Sequence, residues 1–303
     1  MLTKPDESAA AILDKRTLQT LGVLLPIRLN ALSFFSGRHP LGRAGEGMRF
    51  LRTRPFEPGE DNPRDIDKFS PPGETWINEW EAEAQASVLV YADVSASMAF
   101  GPKAALRNLA LLQLTYSLWR ANDRVRTVLF SADRSETIAQ RNLKSQLERL
   151  MQRLNATGLL PGRDAIEVLE AHAARKRTIR DDLIFLLSDF CPTQEQAGED
   201  DMAAWRKARR AISCDVVPVI VSFELAVAQR GSIRLWDAER RAHRLTLLTP
   251  SRIEKINATE AQRVATLEKI FRRLGMDHLV LRHEEDVYPE LAKLAKWRRS
   301  RRS

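Results

Sequence analysis

Asp93, Ser95 and Ser97 alternate in the stretch Asp93-Val-Ser-Ala-Ser97, directly behind the apolar run Ser87-Val-Leu-Val-Tyr-Ala92. Such a run reads as a buried strand, and a polar loop at its carboxyl end is where open α/β sheets place their ligands. One carboxylate and two hydroxyls converging on a point form an oxygen-only set that suits Mg²⁺ or Mn²⁺, with part of the hydration shell kept. A second apolar run, Leu186-Leu-Ser-Asp189, ends in the same form as Val90-Tyr-Ala-Asp93, so a second carboxylate is expected beside the first. The plainer reading, that these short polar side chains only cap the following helix, does not account for the paired strand-end aspartates.

The elements that must hold these residues follow from hydrophobic period. From residue 86 onward, short β-branched runs alternate with helical stretches, which predicts an α/β domain with a parallel sheet flanked by helices. Strands are expected over 87–92, 126–130, 183–187, 216–221 and 278–281, in β-α-β order. Helices are expected over 103–121, opened by Pro102, and over 143–154, 164–175, 202–212, 260–274 and 287–297, with Gly275 as a C-cap. Two runs around 232–236 and 243–248 flank a polar turn and read as a β-hairpin insert, near 231–248, in the α/β rhythm. Upstream, 38–85 is rich in Gly, Pro and charge; within it Phe56–Asp67 reads as structured turn, and the aromatics Phe69, Trp76 and Trp80 are expected to pack onto the core. The expected organisation is a helical segment over 1–37, this segment over 38–85, and the α/β domain over 86–303.

Composition narrows the class further. The 303 residues are 44% hydrophobic and 29% charged, enough for one sizeable core. No apolar stretch approaches the roughly 20 residues that a bilayer crossing needs, and the start of the chain lacks the pattern of a secretory leader. The two cysteines, Cys191 and Cys214, are in no metal or redox spacing, which suits a reducing compartment, and both read as packing residues. Together these features lead us to expect a cytoplasmic protein. The net charge of +8 permits an acidic partner, but the arginines are dispersed among 40 carboxylates. Nucleic acid is therefore not the expected partner, although the basic tail around Trp297 leaves a scaffold of that kind as one alternative. No phosphate-binding glycine loop, nucleophile elbow or histidine pair is present.

Asp93-x-Ser95-x-Ser97, followed by Met98 and Gly101, resembles the metal-ion-dependent adhesion site of von Willebrand factor A domains. With Arg54-Pro-Phe-Glu-Pro-Gly-Glu-Asp-Asn-Pro-Arg64, Ile66-Asp67, Glu79, Glu81 and the later Ser222-Phe-Glu224, the chain resembles the family called domain of unknown function 58. The resemblance implies a von Willebrand factor A-like (Rossmann-like) sheet. It also implies a role as adaptor or chaperone-like partner of a MoxR-type AAA+ ATPase. Carried across, it makes Ser95 and Ser97 direct metal ligands and has Asp93 and Asp189 hold the ion through waters, with one position left for an acidic partner side chain.

One member of the family pattern is missing. A Gly-Gly-Thr-Asp-like turn is expected to supply a threonine ligand, and this chain has Pro161-Gly-Arg163-Asp164. Three outcomes follow: Thr157 reaches in, Arg163 turns away, or the Arg163 guanidinium replaces the cation. The expectation is a weak Mg²⁺ or Mn²⁺ site serving a non-catalytic interaction module. The alternative is a Mg²⁺-dependent phosphoester-processing enzyme built on the same oxygens.

Overall fold

The computed structural model describes residues 40–44, 50–58, 66–83, 86–121, 123–156, 160–174, 183–191, 200–225, 231–237 and 242–300. The helical segment expected over 1–37 lies outside them, as does Thr157. The described residues fall into two compact units, one over Ala86–Trp297 and one holding the described part of 34–85.

The smaller unit is an antiparallel sheet of β1 (Pro40–Ala44), β2 (Phe50–Pro55) and β3 (Trp76–Glu83), in the order β1-β3-β2. None of these strands is legible from hydrophobic period, and most of the turn expected over 56–67 lies outside the described residues. The strands are dense in Arg and Glu and carry no apolar run, so pairing between strands defines them and hydrophobic period does not. Thr53 pairs with Asn78 and Arg54 with Ile77, while a turn returns through Asp67, whose backbone N–H donates to the Trp76 carbonyl at 2.8 Å.

The larger unit is built on a six-stranded sheet. In chain order it contains β4 (Ser87–Asp93), α1 (Lys103–Arg120), β5 (Arg124–Phe130), β6 (Ser135–Ile138), α2 (Leu143–Asn155), α3 (Ala165–Ala174) and β7 (Leu183–Ser188). It continues through α4 (Asp200–Ala211), β8 (Asp215–Val221), the hairpin of β9 (Gly231–Asp237) and β10 (Ala242–Leu248), α5 (Pro250–Arg273), β11 (Leu279–Leu281) and α6 (Val287–Ser300). The strand order β11-β8-β7-β4-β5-β6 places β4 and β7 at the centre and reverses direction of growth at β4. This is a doubly wound α/β sheet, mostly parallel and flanked by helices.

Five strands are parallel, while β6 pairs antiparallel with β5, which departs from β-α-β order throughout. β6 is a four-residue edge strand in which only Ile138 is buried, too short and polar to register as a strand. β4 and β7 are buried at every position, the pattern of strands covered on both faces. Alternate side chains serve opposite faces. Leu89, Tyr91, Ile184 and Leu186 join Val168, Trp205, Ile220 and Phe271 in one core, while α1 lies against β4, β5, β7 and β8.

α5 begins ten residues before the expected start at Glu260. Thr249 accepts from the Arg252 N–H as its N-cap and Pro250 sits in its first turn, both favoured start signals. Gly275 has φ +65° after α5, the left-handed C-cap conformation. Cys214 is half-buried and Cys191 is exposed. The packing role expected for Cys191 is therefore corrected, because its turn at the end of β7 carries it to the surface.

Candidate functional site

The site stands at the carboxyl ends of β4 and β7, and each strand end closes through a local polar turn. Asp93 Oδ1 accepts the Ser95 backbone N–H at 2.8 Å, Ser188 Oγ accepts that of Phe190 at 3.0 Å, and Asp189 Oδ1 accepts that of Cys191 at 3.1 Å. In each case a short polar side chain binds the N–H two residues on, the turn that Asp and Ser favour. Ser188 Oγ also donates to Asp93 Oδ2 at 2.7 Å, which ties the two strand ends together. Ser95 and Ser97 face one another with their hydroxyls 3.1 Å apart. The loop is held sideways by the Ala96 N–H, which donates to the Leu160 carbonyl at 2.7 Å. Asp93, Ser95, Ser97 and Asp189 thus occupy one neighbourhood, with Ser97 half-buried and the other three buried.

Arg163 does not enter it. Its Nε lies 3.5 Å from Glu167 on the first turn of α3, while Asp164 Oδ1 accepts the Ile166 N–H at 2.8 Å. The outcome in which the Arg163 guanidinium replaces the cation is therefore not the arrangement here, while Thr157 lies outside the described residues.

The cation that does enter is Lys103, the first residue of α1. Its Nζ donates to Asp189 Oδ2 at 2.8 Å, with both side chains more than nine-tenths buried, and it lies over the Phe223 ring at 5.8 Å. One turn on, Arg107 Nη1 donates to the Asp93 backbone carbonyl at 3.0 Å, while its Nε and Nη2 bind Asn108 Oδ1. Arg263 on α5 donates to the Asp189 carbonyl and pairs with Glu260, which also accepts from Ser222 Oγ at 2.7 Å. These basic residues carry a signal in the sequence. Cations in the first turns of a helix oppose its dipole, so Lys103 and Arg107 there mark acidic partners outside the helix.

Burial raises the Asp93 carboxyl above the ordinary range, and the nearby negative charge of Asp189 raises it further. Burial alone would raise Asp189 too, but the Lys103 ammonium outweighs it and holds that carboxyl low. Glu260 is held low as well, burial being overcome by Arg263 and Ser222. A carboxylate whose folded pKa is depressed stabilises the fold above its unfolded value, and that contribution is lost as pH falls through the folded one. Below the usual carboxylate value near 3.8, the urea midpoint is therefore expected to fall. Asp189→Asn should flatten that acid limb; an unchanged limb would show that Asp189 is not its source.

The fit of a divalent ion can be judged from these groups. The oxygen donors are of the right kind, but Asp189 already holds an ammonium and Asp93 lies beside the Arg107 guanidinium. A resident ion would bring two positive charges into a buried cluster that already holds the Lys103 ammonium and the Arg107 guanidinium. The residues as arranged therefore do not fit a resident Mg²⁺ or Mn²⁺. Among the described residues, no group of three or more His, Cys, Asp or Glu side chains is placed to hold a metal.

The lip of the site is aromatic. Phe100 is 45% exposed and packs on Phe223 with ring centroids 5.5 Å apart. Between them Gly101 has φ +59°, and a Cβ there would meet the Phe223 ring at 2.8 Å. Gly275, at φ +65°, has open space around it. Gly275→Ala is therefore expected to cost about 1 kcal/mol from backbone conformation alone. Gly101→Ala should cost roughly 1–3 kcal/mol more, because the ring must move. Equal losses in parallel urea melts would show that Phe223 yields freely.

Compared with known proteins, residues 52–264 match the model of a family described as Protein of unknown function DUF58. No curated protein matches the chain in sequence. Solved structures that align with it include an aerotolerance-related membrane protein from Bacteroides fragilis NCTC 9343, at 12% identity and a TM-score of 0.42, covering 70% of this chain and 99% of that one. The conserved hypothetical protein BatB from Bacteroides thetaiotaomicron aligns at 13% identity and a TM-score of 0.39, over 70% and 99% of the two chains. A von Willebrand factor type A structure from Catenulispora acidiphila aligns at 10% identity and a TM-score of 0.40, over 73% and 44%.

Proposed function

Since the chain belongs to the DUF58 family, we propose that it is a non-catalytic interaction module whose Asp93–Ser97 loop receives an acidic side chain of a protein partner. A von Willebrand factor A-like fold suggests a protein-interaction module, and no helix among the described residues is long and apolar enough to cross a membrane. The partner we propose, on the family resemblance, is a MoxR-type AAA+ ATPase.

The observation that carries this reading is the pairing of a polar donor loop with an aromatic lip. The half-buried Ser97 hydroxyl and the exposed Phe100 ring stand at the mouth of a strand-end cluster that Lys103 and Arg107 enter. A hydroxyl-bearing loop beneath an exposed ring offers a carboxylate hydrogen-bond donors and its neighbouring apolar surface a contact. No step of this reading passes through a divalent ion, because Lys103 already meets Asp189.

Phe100→Glu tests the reading without disturbing the core. The variant is expected to keep the thermal midpoint of the parent and to bind the ATPase at least about tenfold more weakly, through a slower association rate. Unchanged association would place the docking surface elsewhere.

A further inference from the structure

We propose that the Lys103 ammonium is the built-in cation of this site and takes the place of the divalent ion, so that the loop works without bound metal. Three features of the chain converge on that ammonium. Asp189 Oδ2 accepts from it at 2.8 Å, with both side chains withdrawn from solvent. The Phe223 ring covers it at 5.8 Å, and attraction between a cation and a ring face adds to the hold. Gly101, with no Cβ, is what lets that ring come so close, since a Cβ would lie 2.8 Å from it.

The surrounding charges complete the balance. Asp93 and Asp189 supply two carboxylates; Lys103 and Arg107 supply two cations, and Arg263 is spoken for by Glu260. A tethered ammonium differs from a bound ion in two ways that matter for a binding module. Its occupancy does not depend on metal concentration, and it carries no open coordination position, so a partner carboxylate must be met by hydroxyl and ammonium donors. The inference rests on the reading of this loop as the docking site, yet its test does not require the partner.

The experiment is calorimetric titration of Mn²⁺, and separately Mg²⁺, into the full chain as wild type, Lys103→Met and Lys103→Met/Asp93→Ala. No saturable binding is expected in wild type at millimolar ion. Lys103→Met is expected to gain one site at least about tenfold tighter than anything in wild type, and the double variant to lose it. Saturable one-site binding in wild type would overturn the proposal, as would a folded Lys103→Met that binds no ion. A Lys103→Met chain that folds only on addition of Mn²⁺ would support it. If that variant folds under neither condition, the wild-type Lys103 ammonium resonance decides. It should stay sharp in Mn²⁺ if the ammonium holds the site, and selective paramagnetic broadening would overturn the proposal. Failure here leaves partner docking untouched, because Phe100→Glu reports on that separately.

Discussion

Lys103→Met is expected to destabilise the larger unit by about 3–5 kcal/mol, because it leaves Asp189 as a buried carboxylate without its counter-charge. The ion pair is 2.8 Å long with side chains 9% and 2% exposed, so solvent cannot take over the role of the ammonium. For a unit of this size, the loss corresponds to a fall in thermal midpoint on the order of 10 °C. Lys103→Met/Asp189→Asn should recover most of it. The amide removes the stranded charge and still accepts the Cys191 N–H that Asp189 Oδ1 accepts at 3.1 Å. Two single losses that simply add in the double variant would show that the residues do not act as a pair.

Phe271→Ala is expected to cost about 3–5 kcal/mol, the range for removing a large buried aromatic. Phe271 is fully buried. It packs edge-on against Trp205 at 4.9 Å between ring centroids and against Phe190 at 5.7 Å. The effect should reach the site, because Phe190 follows Asp189 and holds φ +53°, a conformation that costs a non-glycine residue roughly 1–2 kcal/mol. Packing of the Phe190 ring on Phe271 and Trp205 keeps that turn in place. The urea midpoint should fall with the slope unchanged, and partner affinity should fall with it. A stability loss with full affinity would show that the Asp189 turn holds without its aromatic support.

Much of the central sheet was legible in the sequence because its strands are covered on both faces. Val88–Ala92 and Leu183–Leu187 have to be apolar at every position, and the polar residues following them sit where the chain leaves the sheet. The same logic made Asp93, Ser95, Ser97 and Asp189 readable as neighbours. Elements defined by pairing were not legible in this way. β6 has one buried side chain, and β2 and β3 alternate charges that only partner strands organise. The first turns of α5 mix Ile253 and Ile256 with Ser, Glu and Asn, which blurs the helical period, although Thr249-Pro250 marked the start.

The role of Lys103 was hidden for a different reason. Helix periodicity explains why residues 103 and 107 share a face, but only the crossing of α1 over the strand ends brings that face to Asp189 and Asp93. Attention to the missing threonine raised Arg163 as one candidate substitute cation, whereas Arg163 lies beside Glu167 at the start of α3. A lysine in the first turn of a helix, against the dipole, was the available clue.

The most direct test of the docking reading is the equilibrium affinity of the purified chain for the MoxR-type AAA+ ATPase, in wild type and in Ser95→Ala/Ser97→Ala. The double variant removes both hydroxyl donors and leaves the Lys103–Asp189 pair intact. Binding at least about tenfold weaker, with the thermal midpoint preserved, is the predicted result; equal affinity in the two proteins would contradict a loop that receives the partner.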